Sequence, residues 1–215
     1  MATEKLIRWS AVAWLLSALT GIVVTLFVPS DYASNAVLSS LWTPMHALDA
    51  VSFILFLFGL GGIYLRQADR AGRVGSIGYV LTFFGVAILT AQAIVAAWIL
   101  PTIALQPNAP NTAFEMLDPA GPLSAFSEVV LIAYLPAGIG LIMVGISIWR
   151  AGVLPRWAGL LFIIGTVLEF AVLIGAPGEL VVKVGEVAID AAKFLIVYSL
   201  LLEKSVVVMQ PKTAT

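Results

Sequence analysis

The sequence has no cysteine and only one histidine, His46, among its 215 residues. A chain without cysteine cannot form disulfides, iron–sulfur clusters or thiolate zinc sites, and one histidine cannot provide bis-histidine haem ligation. The sequence also lacks a P-loop, a GxSxG nucleophile elbow, an HExxH motif and a dinucleotide-binding fingerprint. We therefore expect neither a cofactor nor a metal centre.

Charged side chains are also scarce, at 11% of the residues, whereas 61% of the residues are hydrophobic. Soluble domains have about 25% charged residues, so this composition is typical of a polytopic membrane protein whose main partner is the lipid bilayer. The net charge of −1 excludes a general nucleic-acid surface, because such a surface needs clustered basic residues.

Six apolar runs are each long enough to cross a bilayer core of about 30 Å, which takes roughly 20 residues in a helix. The first run follows Lys5 and Arg8 but is longer than the apolar region of a secretory signal peptide, so we predict a retained helix. We predict an all-α fold in which residues 1–215 form one domain, a single bundle of six transmembrane helices. The predicted spans are residues 9–28, 45–65, 74–100, 123–149, 156–174 and 180–202.

Lysine and arginine are absent from alternate segments between these runs. Nine of the eleven basic residues lie before the first run, between runs two and three, between runs four and five or at the first residue of run five, or after the sixth. The intervening segments 29–44, 101–122 and 175–179 contain none. By the positive-inside rule, this asymmetry predicts an integral plasma membrane protein with both termini in the cytoplasm.

The sixth run carries four ionisable residues, namely Lys183, Glu186, Asp190 and Lys193. A single charge at the bilayer centre costs roughly 2.5–3.5 kcal/mol on insertion scales. At helical spacing the four side chains fall within an arc of about 80°, so they must face other helices, water or a ligand. Alternatively, the helix neutralises itself as structural glue, because Lys183–Glu186 and Asp190–Lys193 are both spaced i, i+3.

Polar residues of the other runs fall at a similar depth, because a rise of 1.5 Å per residue places them in the outer half of their helices. Five carboxylates then face two lysines and one histidine, and uncompensated anions are not stable in a low dielectric. A shared chamber would therefore bind a proton, a cation or a small polar ligand. The candidate ligand- or ion-binding residues are Asp49, Glu128, Glu169, Glu186, Asp190, Lys193, Lys183, His46 and Gln92.

Several of these residues also have a purely structural interpretation. His46 can be a solvated or capping residue at the outer mouth, and Glu128 and Glu169 can be interfacial. Gln92 can form an interhelical hydrogen bond. The proline-containing segment 106–122 can be either a lid over the outer mouth or a stiff linker.

The segment Trp-Arg-Ala-Gly-Val-Leu-Pro-Arg-Trp-Ala-Gly at 149–159 resembles a family of uncharacterised bacterial six-span membrane proteins. Proteins of this family often have a Leu/Ile-Pro-Arg-Trp turn before the fifth helix and an acidic residue in the last helix. The resemblance covers about the final third of the chain. It implies a six-span fold and a bacterial inner membrane, and it supplies no activity.

Three functions are compatible with these patterns. The leading hypothesis is a membrane protein that binds or transports a proton, a cation or a small polar ligand through Asp190 and Glu186; a homodimer fits it, because six spans is small for a transporter. The second is an intramembrane enzyme acting on a lipid or isoprenoid, with Asp190 or Glu186 as general acid. The third is a non-catalytic subunit whose polar stripe contacts a partner helix.

Overall fold

The computed structural model describes residues 2–118, 120–171 and 178–207, and these residues form helices and turns without any strand. For residues 2, 114, 127 and 202–207 it describes the backbone alone. The predicted all-α fold is confirmed for this part of the chain. The elements are α1 (Ala2–Phe27), a short 3-10 helix (Ala36–Leu38), α2 (Trp42–Ala104), α3 (Ala113–Leu117), α4 (Ser124–Ala151), α5 (Arg156–Phe170) and α6 (Glu179–Val207).

The longest helix, α2, is a hairpin of two limbs that meet at Gly72. Gly72 has a non-helical backbone, with φ 58° and ψ −168°, within a helical stretch of 63 residues. On either side of it, the hydroxyls of Tyr64 and Ser76 lie 2.9 Å apart. The chain therefore reverses here, and the first limb (42–71) and the second limb (73–104) run antiparallel.

The two limbs stay together as far as their distant ends, where Trp42 donates from Nε1 to the Ala96 carbonyl oxygen at 2.8 Å. The sequence predicts a connecting loop at 66–73, but the helix continues through this segment except at Gly72. A single residue can replace the loop because glycine, which has no Cβ, adopts backbone angles that other residues avoid.

Six long helical segments of the described chain form a closed ring in which neighbours run antiparallel. α1 packs against the first limb of α2 on one side and against α6 on the other. The second limb packs against α4, α4 against α5, and α5 against α6. Residue pairs that meet across the interfaces between elements are Ser17 and Ser52, Gly85 and Ala137, Gly145 and Gly159, Gly165 and Gly185, and Gly21 and Asp190.

Glycines bring two of these interfaces to backbone contact. A Cβ added to Gly165 would lie 2.6 Å from the carbonyl oxygen of Gly185, and one added to Gly145 would lie 2.6 Å from that of Gly159. Small residues permit such close approach between membrane helices. Larger side chains at these positions would push α5 away from both of its neighbours.

Large apolar side chains fill the centre of the ring. Trp14, Leu60, Phe162 and Ile196 are each at most 1% exposed. Trp14 stacks on Phe56 with 5.4 Å between ring centroids and donates from Nε1 to the Phe56 carbonyl oxygen at 2.8 Å. The ring therefore encloses a packed core at this level.

The outer surface of the ring is also apolar, with Phe58, Ile132 and Tyr198 exposed by 70%, 66% and 65%. Such a surface suits contact with lipid and indicates a membrane protein. The count of six spans stays a prediction. By length and composition, the helices able to cross a membrane within the described residues are Thr3–Phe27, Trp42–Ala104 and Ser124–Ala151.

The helix α5 is shorter than the span predicted at 156–174. It ends at Phe170 after 15 residues, which corresponds to about 22 Å of helix against a bilayer core of about 30 Å. Residues 172–177, on which the rest of the predicted span falls, lie outside the described residues. Apolarity alone does not fix where a helix ends, since a helix C-terminus depends on local capping.

Antiparallel packing collects the charges of the connecting segments at two ends of the ring. The basic end carries Lys5, Arg8, Arg66, Arg70, Arg73, Arg150 and Arg156. The acidic end carries Asp31, Glu115, Asp118 and Glu179. The alternation of basic and non-basic segments in the sequence thus corresponds to two ends of the folded molecule.

At the acidic end, two connecting segments form a cap over the ends of the α2 limbs. Trp42 and Leu100, at the limb ends, pack together with Val37 and Met116, and all four are at most 2% exposed. Met116 belongs to segment 106–122, the predicted lid or linker. This segment is therefore anchored on α2 by a buried apolar contact.

Candidate functional site

A buried ion pair lies at the centre of the candidate site. Lys193 Nζ is 2.7 Å from Asp190 Oδ1, and the two side chains are 7% and 4% exposed. The pair forms within α6 because residues spaced i, i+3 lie on one face of a helix. For these two residues, α6 does compensate its own charge.

The Lys193 ammonium also contacts α1 and the first limb of α2. It donates to Ser17 Oγ at 3.2 Å. Ser17 donates in turn to the Ser52 carbonyl oxygen at 3.0 Å, and Ser52 Oγ donates to that of Ser17 at 3.0 Å. The Phe56 ring centroid lies 5.2 Å from Nζ, within cation–π range. Three segments of the ring therefore hold one ammonium group.

Small residues of α1 lie opposite the carboxylates of Asp190 and Glu186. A Cβ on Gly21 would lie 2.6 Å from Asp190 Oδ2, so the absence of a side chain makes room for this carboxylate. One turn nearer the acidic end, Thr25 Oγ1 donates to Glu186 Oε2 at 2.8 Å. In antiparallel order, α1 thus sets Ser17, Gly21 and Thr25 against Lys193, Asp190 and Glu186 of α6.

Sequence reasoning does not identify this α1 half of the site. Ser17, Gly21 and Thr25 are uncharged, so none of them requires a partner in an apolar run. Their i, i+4 spacing is the signal that could have identified them, because it places three small residues on one helical face.

Two further carboxylates come from other segments. Asp49 lies on the first limb of α2, three residues before Ser52, and Glu169 lies on α5 against Gly185. Both are half-buried. α5 packs directly against α6, and the first limb of α2 is joined to α6 through Ser17 of α1. We call the whole group the carboxylate cluster, which consists of Asp49, Glu169, Glu186, Asp190 and Lys193.

Lys183, the other lysine of the sixth run, is paired with Glu179 and not with Glu186. Its Nζ lies 2.8 Å from Glu179 Oε1, with side chains that are 30% and 39% exposed. Hydrogen bonds from Lys183 and Ser30 lower the pKa of Glu179, because they stabilise its charged form. Lys183 therefore belongs to an ion pair at the acidic end.

His46 belongs to the cap at the acidic end. Its ring stacks on Trp42, with 4.1 Å between centroids, and its Nδ1 lies 3.0 Å from the Trp42 carbonyl oxygen. The imidazole is half-buried. His46 therefore packs against Trp42, one turn earlier in its own helix.

Glu128 and Gln92 do not take part in the interactions of the carboxylate cluster. Glu128 is exposed on α4, in agreement with its interfacial interpretation. Gln92 is half-buried on the second limb of α2, one turn before Ala96. The position of a residue along its helix predicts its depth, but the direction of its side chain depends on how the helix is rotated by packing.

The carboxylate cluster ends at an apolar layer. One turn beyond Ser17 and Lys193, toward the basic end, Trp14 and Ile196 are fully buried, and Phe162 packs against Trp14. Within the described residues, no three carboxylates or imidazoles are grouped so as to hold a metal ion. Polar side chains thus extend from the acidic end as far as Lys193.

No protein-family model, curated protein or solved structure matches this chain. The similarity of segment 149–159 to uncharacterised six-span proteins therefore stays an expectation. Any function has to be inferred from the chemistry of the carboxylate cluster.

Proposed function

We propose that this is a six-span protein of the plasma membrane that binds protons in the carboxylate cluster. In this proposal both termini are cytoplasmic, so the acidic end faces the outside and the ligand arrives from there. The observation that supports it is the unequal charge of the cluster, in which four carboxylates accompany the single ammonium of Lys193.

Unequal charge is unfavourable away from water. Asp190 and Lys193 compensate each other at 2.7 Å. Glu186 accepts a hydrogen bond from a threonine hydroxyl, which stabilises the carboxylate without neutralising it. Among the described residues Lys193 forms its ion pair with Asp190, so Asp49 and Glu169 are left without an ion pair to this ammonium. Bound protons would supply the missing positive charge.

The apolar layer favours binding over passage through the protein. Trp14 and Phe162 are fully buried on the far side of Lys193, with an edge-to-face contact at 5.7 Å between ring centroids. An ion crossing this layer would lose its polar partners, which is costly in a low dielectric. We therefore favour a receptor or sensor for the ligand over a transporter.

Counting bound protons tests the proposal. Purified protein in lipid nanodiscs is titrated from alkaline to neutral pH, with empty nanodiscs as reference, and proton uptake per chain is measured. Glu169→Gln and Asp49→Asn should each lower the uptake, because each removes one carboxylate from the cluster. Glu128→Gln is the matched control, since Glu128 is an exposed carboxylate on α4, and it should leave the uptake in this pH range unchanged.

A second titration distinguishes cations from protons. Sodium, potassium or calcium chloride is added at constant ionic strength, with N-methylglucamine chloride as the bulky reference salt. None of these metal cations should displace protons, because no three carboxylates of the described residues are grouped so as to hold a metal ion. Equal proton uptake by wild type, Glu169→Gln and Asp49→Asn, or displacement of protons by one of these cations, would contradict the proposed function.

A further inference from the structure

Gln67 has a buried side-chain oxygen that receives no hydrogen bond. The residue lies on the first limb of α2 near the basic end and is 4% exposed. Among the described residues, none donates to its Oε1. A buried amide oxygen without a donor is unfavourable, and few such atoms persist in native proteins. A donor other than the described residues would satisfy it.

Gln67 lines a cavity of about 10 Å³ between the two limbs of α2 and Val144 of α4. A single ordered water needs about 10–15 Å³ on the same measure, together with two to four polar partners. The residues that line this cavity are all uncharged. Its volume therefore admits one water-sized molecule, and its lining offers no counter-charge for an ion.

Tyrosine side chains from both limbs line the same cavity. Tyr64 of the first limb and Tyr79 of the second both line it, and their rings stack with 4.7 Å between centroids. The Tyr64 hydroxyl lies 2.9 Å from Ser76 Oγ, which donates to the Gly72 carbonyl oxygen at 3.1 Å. These bonds connect the cavity to the point where α2 reverses.

We infer that this cavity is a binding site for one water molecule, which donates a hydrogen bond to Gln67 Oε1. The water satisfies the buried oxygen next to the reversal of α2. Ordered water plays this part where a helix departs from regular hydrogen bonding inside a membrane protein. The site lies at the basic end, so it is independent of the carboxylate cluster and of the function proposed for it.

Replacing Gln67 by methionine distinguishes a cavity that contains water from a dry cavity. Methionine has nearly the same length but no strong acceptor. If water is bound, Gln67→Met removes its partner and lowers the melting temperature, by about 2–4 °C for a chain of this size. If the cavity is dry, the same substitution removes an unpaired oxygen and raises the melting temperature. Gln92→Met, half-buried on the other limb and away from this cavity, is the control.

The water can also be detected directly. A crystal or cryo-EM structure that resolves ordered waters should contain density within hydrogen-bonding distance of Gln67 Oε1, and this density should disappear in Gln67→Met. The inference is overturned if Gln67→Met melts at or above the temperature of wild type. It is equally overturned if the wild-type cavity contains no such density.

Discussion

Asp190 and Lys193 are buried so deeply that each depends on the other. Their side chains are 4% and 7% exposed and meet at 2.7 Å. Removing one partner of a buried pair typically costs about 3–5 kcal/mol, because the other charge is left uncompensated, whereas replacing both is often close to neutral. The coupling energy between the two residues therefore describes this pair better than the stability lost in either single variant.

We expect Asp190→Asn and Lys193→Met each to lower the free energy of unfolding by about 3–5 kcal/mol. The double variant should lose less than the sum of the two, since it leaves no unpaired buried charge. Equilibrium unfolding of the four proteins in detergent micelles measures the difference. Losses that simply add would show that the two side chains are energetically independent.

Asp190 also restricts the size of the residue at position 21, which is glycine. Gly21→Ala should destabilise the protein by about 1–3 kcal/mol, because the new methyl group would lie 2.6 Å from Asp190 Oδ2 and force the helices apart. Gly61→Ala is the control. Its nearest neighbour would be the Tyr79 hydroxyl at 4.0 Å, so alanine should be neutral or stabilise α2 by up to about 1 kcal/mol. Thermal unfolding of both variants provides the comparison, and equal effects would refute the steric argument.

The charged half of the site can be predicted from sequence and the neutral half cannot. A charge such as Lys193 in an apolar run needs a partner wherever the helix packs, so it is a reliable signal. A serine such as Ser17 can instead bond to its own helix, and only tertiary packing decides that it contacts Lys193. Glu128 shows the converse, since a charged residue near the end of a span can simply face outward.

At the scale of helices, the acidic end of α6 is stabilised by a pH-dependent ion pair. The pKa of Glu179 in the folded protein lies below its ordinary value of 4.5, because Lys183 and Ser30 donate hydrogen bonds to the charged carboxylate. Ionised Glu179 therefore stabilises the folded state above about pH 4.5, and this contribution disappears as the pH falls through the lowered pKa.

Glu179→Gln should accordingly be less stable than wild type at neutral pH, and the difference should shrink on acidification. Because both side chains of the pair are partly exposed, we expect a difference of at most about 1 kcal/mol. Melting temperatures measured from neutral to acidic pH provide the test. Lys183→Gln should show the same trend. If the difference in melting temperature between variant and wild type grew at low pH, ionised Glu179 would not be stabilising the folded state.

The reversal of α2 depends on the backbone of one glycine. Gly72 has φ 58° and ψ −168°, a combination that is essentially restricted to glycine, so Gly72→Ala should cost about 3 kcal/mol. A clash with another part of the protein is not the reason, because an added Cβ has no neighbour within 4 Å. The cost comes from the backbone conformation alone. Gly152→Ala, at φ 61° and ψ 20°, should cost only about 1 kcal/mol, since other residues can adopt this left-handed conformation. Thermal unfolding compares the two, and equal losses would contradict the argument.

Helices are the part of this fold that sequence predicts well, since the described part of each of the six apolar runs coincides closely with a helical segment. Connections are predicted less well. The segment 66–73 is polar and basic, as a loop would be, yet the helix continues through it except at Gly72. Polarity indicates that a segment is solvated, and it does not indicate its backbone conformation.

At the scale of the whole molecule, the closed ring could not be derived from sequence. Short connections predict that the helices they join are neighbours, and the packing of α4 against α5 follows this rule. The contact between α1 and α6 has no such basis. It joins residues as distant in the chain as Ser17 and Lys193, and it depends on complementary faces that become apparent only when both helices are placed.

The proposed orientation predicts which end of the ring reagents can reach from outside the cell. Because the chain has no cysteine, single cysteines can be introduced without background. Ser39→Cys at the acidic end should react with a membrane-impermeant maleimide on intact cells, whereas Ala68→Cys at the basic end should react only after permeabilisation; both positions are exposed. The reverse pattern would invert the orientation, and equal labelling would contradict a spanning arrangement.

The interface between α1 and α6 has a consequence for biosynthesis. The Lys193–Ser17 bond joins residues 176 positions apart, so the halves of the carboxylate cluster leave the ribosome at very different times. The neutral face of α1 therefore has no partner until translation reaches α6. Closing the ring and completing the site both depend on the last helix to be synthesised.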